Sequence, residues 1–142
     1  MIRRDDVLGR YVAAGKSIPL LTLSEFFDDN ADEESLAPNQ WGEGRPPLAE
    51  IARRLGTLDD DPAVSWVRVQ LHEETFEDGV DWVAAEAVAI CTSLDPDDVA
   101  ARLDVDELQA DGVIDGYVYD EDAFADAPPA PPGHRVLSLV WD

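Results

Sequence analysis

The sequence predicts one α/β (α+β) domain spanning residues 1–142, a mixed sheet of four to five strands with helices packed on it. Three observations lead there. Val64–His72 and Trp82–Cys91 read as two strands of one hairpin, runs of helical period lie before and after them, and no composition break or repeat divides the chain. A domain of this size buries about 70% of its unfolded surface without disulfides or metal.

Asp5–Ala14 places Val7, Leu8, Tyr11 and Val12 on one stripe, with Gly15 as a C-terminal cap, so an amphipathic helix docked on the sheet is expected. Arg3, Arg4, Arg10 and Lys16 make this the only net basic segment, and it should face acidic neighbours. Ile18–Leu23 has the length and apolarity of a strand, and Ser24 is placed to cap a helix carrying Glu25, Phe26 and Phe27. The acidic stretch that follows spaces Asp28, Asn30 and Asp32 as an EF-hand calcium loop begins. Its sixth position is Glu33 instead of glycine and its twelfth is Asn39 instead of glutamate, so a solvated loop is expected.

Residues 35–47 are broken up by Pro38, Gly42, Gly44, Pro46 and Pro47. Trp41 within them suits either a ligand-lining ring or a plug under a long loop. Pro47–Leu55 is the clearest helix, with Leu48, Ile51, Ala52 and Leu55 on one face, Arg53 and Arg54 on a solvated edge, and Gly56 as its stop.

In Val64–His72 the residues Val67, Val69 and Leu71 alternate with Trp66, Arg68, Gln70 and His72, giving one dry face and one mixed face. Trp82–Cys91 is small or apolar on both faces, which belongs inside a sheet covered on both sides. An Ala-rich run also suits a helix. The β preference of Val83, Val88, Ile90, Cys91 and Thr92, and the helix start just beyond, decide for a strand. That start is Asp95 as cap with Pro96 in the first turn. Val113 and Ile114 return to the core, Tyr117–Tyr119 reads as a brief strand, and residues 120–133 form an acidic, Pro-rich loop that Phe124 pins. Arg135–Trp141 closes the chain as an apolar strand whose loss should be poorly tolerated.

Charge limits the function classes. Thirty-two acidic residues against ten basic ones give a net charge of −22. Such a chain repels nucleic acid and anionic membrane, which bind through cation–phosphate contacts. A solvated surface and a surface steered toward a basic partner both account for the acidity. No apolar run approaches a membrane span, the opening MIRRDDVLGRYV has no signal-peptide core, and a single cysteine forms no internal disulfide, so the expected compartment is the cytoplasm.

No catalytic, metal or cofactor motif is present. Cys91 and His72 fall at far ends of the hairpin, and neither His72 nor His134 has zinc-ligand spacing around it. Glu86 interrupts an apolar strand and needs a partner; Arg68 on the neighbouring strand is its expected cross-strand mate. The connection Glu73–Asp81 surrounds an aromatic with acids, and docking to a basic protein through Glu73, Glu74, Phe76, Glu77, Asp78, Asp81 and Trp82 is the leading expectation, with residues 28–34 contributing. A plain solvated turn explains the same residues. In size and composition the chain resembles bacterial toxin-neutralising (immunity) and regulatory binding proteins. The reading from another class is a small enzyme or ligand-binding domain with a pocket near Trp41, Trp66, Arg68 and Glu86.

Overall fold

Eight consecutive residues, Ala85–Thr92 (AEAVAICT), carry only one side chain too polar for an interior, so they can sit only where both faces of a sheet are covered. A computed structural model, which describes residues 1–40 and 44–141, places them there as β3. Every β3 residue except Glu86 is buried. The elements run α1 (Arg4–Ala13), β1 (Ile18–Leu21), α2 (Leu23–Phe27), α3 (Leu48–Asp59), β2 (Val64–Leu71), β3, α4 (Pro96–Leu103), β4 (Gly112–Asp115), β5 (Phe124–Ala125) and β6 (Arg135–Val140). The sheet order is β4-β6-β3-β2-β1-β5, antiparallel throughout except for the parallel β1/β5 edge. The result is a single α+β domain with a six-stranded mixed sheet. The count exceeds four to five because β5 is a two-residue pairing too short to show a period, and β4 takes residues 112–115 where Tyr117–Tyr119 had been the expected strand.

One face of the sheet is aliphatic. Val67, Val69, Leu71, Val88, Ile90, Leu137 and Leu139 join Phe26, Ile51, Leu55, Val99 and Leu103 from the helices in one core. Each such side chain, fully buried, contributes about 1.5–3 kcal/mol. The opposite face is narrow: Trp66, Ala89 and Cys91 pack with Tyr117 and Val136, and the Trp66 indole N–H donates to the Pro129 carbonyl at 3.2 Å, laying the Pro-rich loop over the sheet. Small residues on β3 let that loop come close. Phe124 is buried in β5 beside Tyr117 and Tyr119, with ring centroids 5.0 and 6.0 Å away.

The β2/β3 ladder carries two irregularities. Val64 pairs with Thr92 and Trp66 with Cys91, leaving Ser65 as an extra residue on β2; Gln70 pairs with Ala87 and Leu71 with Ala85, leaving Glu86 as an extra residue on β3. Each extra residue meets a histidine: the Ser65 hydroxyl shares a 2.6 Å hydrogen bond with His134 Nδ1, and Glu86 Oε2 lies 3.6 Å from His72 Nε2. Bulges of this kind re-aim a side chain out of the pleat.

Helix ends depart from the local signals in several places. Thr22, not Ser24, caps α2: its hydroxyl accepts from Glu25 N–H at 3.1 Å while Glu25 accepts from Thr22 N–H at 2.9 Å, a reciprocal capping box. The α3 helix passes through Gly56 for another turn because Leu58 completes its apolar face. Val12 is 68% exposed, so only part of the α1 stripe is used. Arg54 is no solvated edge: it donates to Glu50, to the Leu103 carbonyl and to Glu107, tying α3 to the end of α4. Arg53 holds the same Glu50 at 2.6 Å. Hydrogen bonds from Arg53 and then Arg54 pull the Glu50 carboxyl down to about 2. A depressed carboxyl supports the folded state above its unfolded titration range and stops doing so as pH falls through the folded value. In a carboxyl-carbon NMR titration Glu50 should stay ionised until about pH 2, and Arg54→Gln should move its midpoint upward. A midpoint in the ordinary glutamate range would show that these bonds do not persist in solution.

Candidate functional site

The acidic residues of the 73–82 connection are exposed, but its backbone is not free. Thr75 is buried, its hydroxyl accepting from Ala84 N–H at 3.1 Å and donating to the Ala84 carbonyl at 3.2 Å. Arg4 of α1 donates to the carbonyls of Thr75 and Glu77, both at 3.1 Å. Of the two cations of α1, Arg4 thus grips the acidic connection through backbone oxygens, whereas Arg10 pairs with Glu25 of α2 at 2.8 Å. Phe76 does not serve as the exposed anchor expected of it: its ring stacks on Tyr11, centroids 4.2 Å apart, and is half-buried. Residues 77–80 then close a tight turn, Val80 N–H to the Glu77 carbonyl at 3.3 Å, with Gly79 at φ +83°, a conformation side chains resist.

The exposed aromatic of this connection is Trp82. It precedes β3, outside the strand it was expected to begin, and is 47% exposed. It lines a groove of about 360 Å³ with Asp32, Glu34, Ser35, Pro38, Asn39, Glu74 and Ala84. The two acidic segments, far apart in sequence, therefore form walls of one groove around one indole, and among the described residues no arginine or lysine lines the space. The far wall is well fastened. Asp32 accepts from Glu34 N–H at 3.1 Å, Asn30 donates to Ser35 Oγ at 2.9 Å, and Ala37 N–H donates to the Ala85 carbonyl at 2.7 Å. Arg45 donates to the carbonyls of Glu33 and Leu36.

The connection is divided by this arrangement. Glu74 and Trp82 belong to the groove, whereas Glu73, Phe76 and Glu77 line a separate depression with Tyr11, Lys16 and Ile18. Asp78 and Asp81 are exposed and line neither.

Glu86 and Arg68 are not partners. Arg68 pairs in register with Ala89, and its guanidinium donates to the Val67 carbonyl at 2.8 Å, lying 5.9 Å over the Trp66 ring, where β1 has ended and the strand edge is open. Glu86, displaced by its bulge, accepts from the Tyr119 hydroxyl at 2.8 Å and faces His72. Burial, and then this bond to Glu86, push the Tyr119 phenol up. The pocket expected near Trp41, Trp66, Arg68 and Glu86 does not form from the last three: Trp66 is buried under the Pro-rich loop, and Arg68 and Glu86 line different depressions. Trp41 lies outside the described residues. Cys91 is buried opposite Trp66, away from His72, and burial pushes its thiol up.

A cleft of about 480 Å³ between α3 and α4 holds Arg53, Arg54 and Arg102. These guanidiniums are already matched by Glu50, Glu107 and Asp61, so the cleft presents little spare positive charge. Among the described residues no group of three or more His, Cys, Asp or Glu side chains is placed to hold a metal ion, and no helix is long and apolar enough to cross a membrane.

Fold and site together define a single-domain α+β protein with an acidic groove built around an exposed tryptophan. The chain belongs to the Uncharacterized protein YfbO family, whose model matches residues 2–139. Comparison with curated proteins and with solved structures finds no match.

Proposed function

We propose that this chain is a non-enzymatic binding protein whose acidic groove receives a cationic segment of a protein partner. The observation that carries this reading is the meeting of Asp32 and Glu34 with Glu74 around the exposed Trp82. A lysine or arginine side chain entering there gains attraction from both walls and a cation–π contact with the indole. The remaining exposed carboxylates of the connection, Glu73, Glu77, Asp78 and Asp81, raise the encounter rate more than they hold the complex. The same charge disfavours nucleic acid and anionic membrane as ligands. The setting we read for it is the bacterial cytoplasm, where a lone buried cysteine needs no disulfide.

The test is a titration with a lysine- and arginine-rich peptide, followed by amide NMR and stopped flow at low and high salt. Shifts should concentrate at Asp32, Glu34, Glu74 and Trp82. Reversing Glu73, Glu74, Glu77 and Asp78 to lysine should cut the association rate roughly ten- to a hundredfold at low salt and far less at high salt. Trp82→Ala should speed dissociation instead. Shifts spread evenly over the acidic surface, or unchanged rates in both variants, would reject the groove as the docking site.

A further inference from the structure

The acidic turn that forms one wall of the groove starts at a histidine. His72 precedes the one-turn helix Glu73–Phe76, and its Nδ1 accepts a hydrogen bond from Glu74 N–H at 3.0 Å. A nitrogen that accepts carries no proton, so the neutral ring holds its hydrogen on Nε2, the atom facing Glu86 at 3.6 Å. The preceding amide, Glu73 N–H, donates to the Tyr119 hydroxyl at 3.3 Å, and that hydroxyl donates to Glu86. Both opening amides of the turn are thus satisfied by side chains of one cluster, His72, Tyr119 and Glu86. Among the described residues, the charged groups around this cluster include the turn's own Glu73 and Glu74, Asp111, which lines the same depression as Glu86, and Arg4 of α1, which meets the far end of the turn through the carbonyls of Thr75 and Glu77.

From this geometry we infer that His72 is a proton-operated catch on the acidic turn. Adding a proton to Nδ1 turns an acceptor into a donor that confronts Glu74 N–H, so the cap is lost. The imidazolium is drawn to the Glu86 carboxylate, and the ring leaves the turn. Residues 73–76 then lose their anchored start, and the Glu74 wall of the groove changes position when the ring is protonated. As regulation of the groove this rests on the docking reading, but the catch itself is measured without any ligand.

The experiment is an amide NMR titration of the free protein between pH 8 and 5.5, with His72 protonation followed through its own ring signal. The Glu73, Glu74 and Thr75 amides should shift together, with the midpoint of the His72 ring. His72→Asn is the decisive variant, because an asparagine oxygen caps the turn equally well and does not titrate. Its Glu74 amide should remain at the capped position throughout the range. A Glu74 amide that stays fixed through the His72 titration, or one that moves identically in His72→Asn, overturns the inference. Failure of peptide binding with these shifts present would sink the docking reading alone.

Discussion

Deleting residues 135–142 is expected to leave a chain without a cooperative unfolding transition. The β6 strand lies between β3 and β4, with six register pairs on one side and four on the other, so its loss opens one edge of β3 and detaches β4 from the sheet. It also removes Leu137, Leu139 and Trp141, all essentially buried, the last anchored by its indole N–H to the Leu108 carbonyl at 3.2 Å. At about 1.5–3 kcal/mol for each buried side chain the apolar loss alone reaches roughly 5–9 kcal/mol, which matches the whole stability of an ordinary domain. Circular dichroism during heating checks this. A sharp melt from a native-like sheet spectrum would mean that β6 is an accessory to the fold.

Gln70→Leu should cost about 3 kcal/mol, lowering the melting temperature by roughly 10 °C. Gln70 is fully buried on the narrow face of β2. Its carbonyl oxygen accepts from Val118 N–H at 3.0 Å, its amide donates to Ser138 Oγ at 2.7 Å, and Ser138 donates onward to the Gly116 carbonyl at 2.6 Å. Leucine fills the space but leaves Val118 N–H without its acceptor and Ser138 without its donor. The loop that brings Tyr119 to Glu86 loses one of its attachments to the sheet. Ser138→Ala should cost less, about 1–2 kcal/mol, and the double variant should be less destabilised than the sum of the two. Strict additivity in denaturant titrations would show that the three groups do not act as one network.

The central hairpin was legible because its side chains decide the matter alone: Val67, Val69 and Leu71 alternate, and residues 85–92 are too apolar for any exposed position. The start of α4 was legible for a local reason, since Pro96 suits only a first turn. What escaped depended on distant residues. Nothing near Phe76 announces that Tyr11, some sixty-five positions earlier, covers its ring, and so the exposed aromatic was assigned to Phe76 when Trp82 holds that place. The mate of Glu86 was misread because a period-two count assumes an unbroken ladder, and the bulge at Glu86 itself breaks it. The convergence of residues 32–34 with Glu74 and Trp82 had no sequence signal beyond shared acidity. It follows from the pairing of Leu36 with Ala85, which brings the first acidic loop alongside the start of β3.

The paired bulges at Ser65 and Glu86 have a further consequence. In a hairpin continued without them from Leu71 and Ala85, Val69 would stand opposite Ala87 and Trp66 opposite Ile90, setting the aliphatic side of one strand against the narrow side of the other. One surplus residue shifts the phase between the strands and the second restores it, so five central rungs match like with like while both ends keep a common frame. Shortening the chain by either residue alone would leave that phase uncorrected at one end.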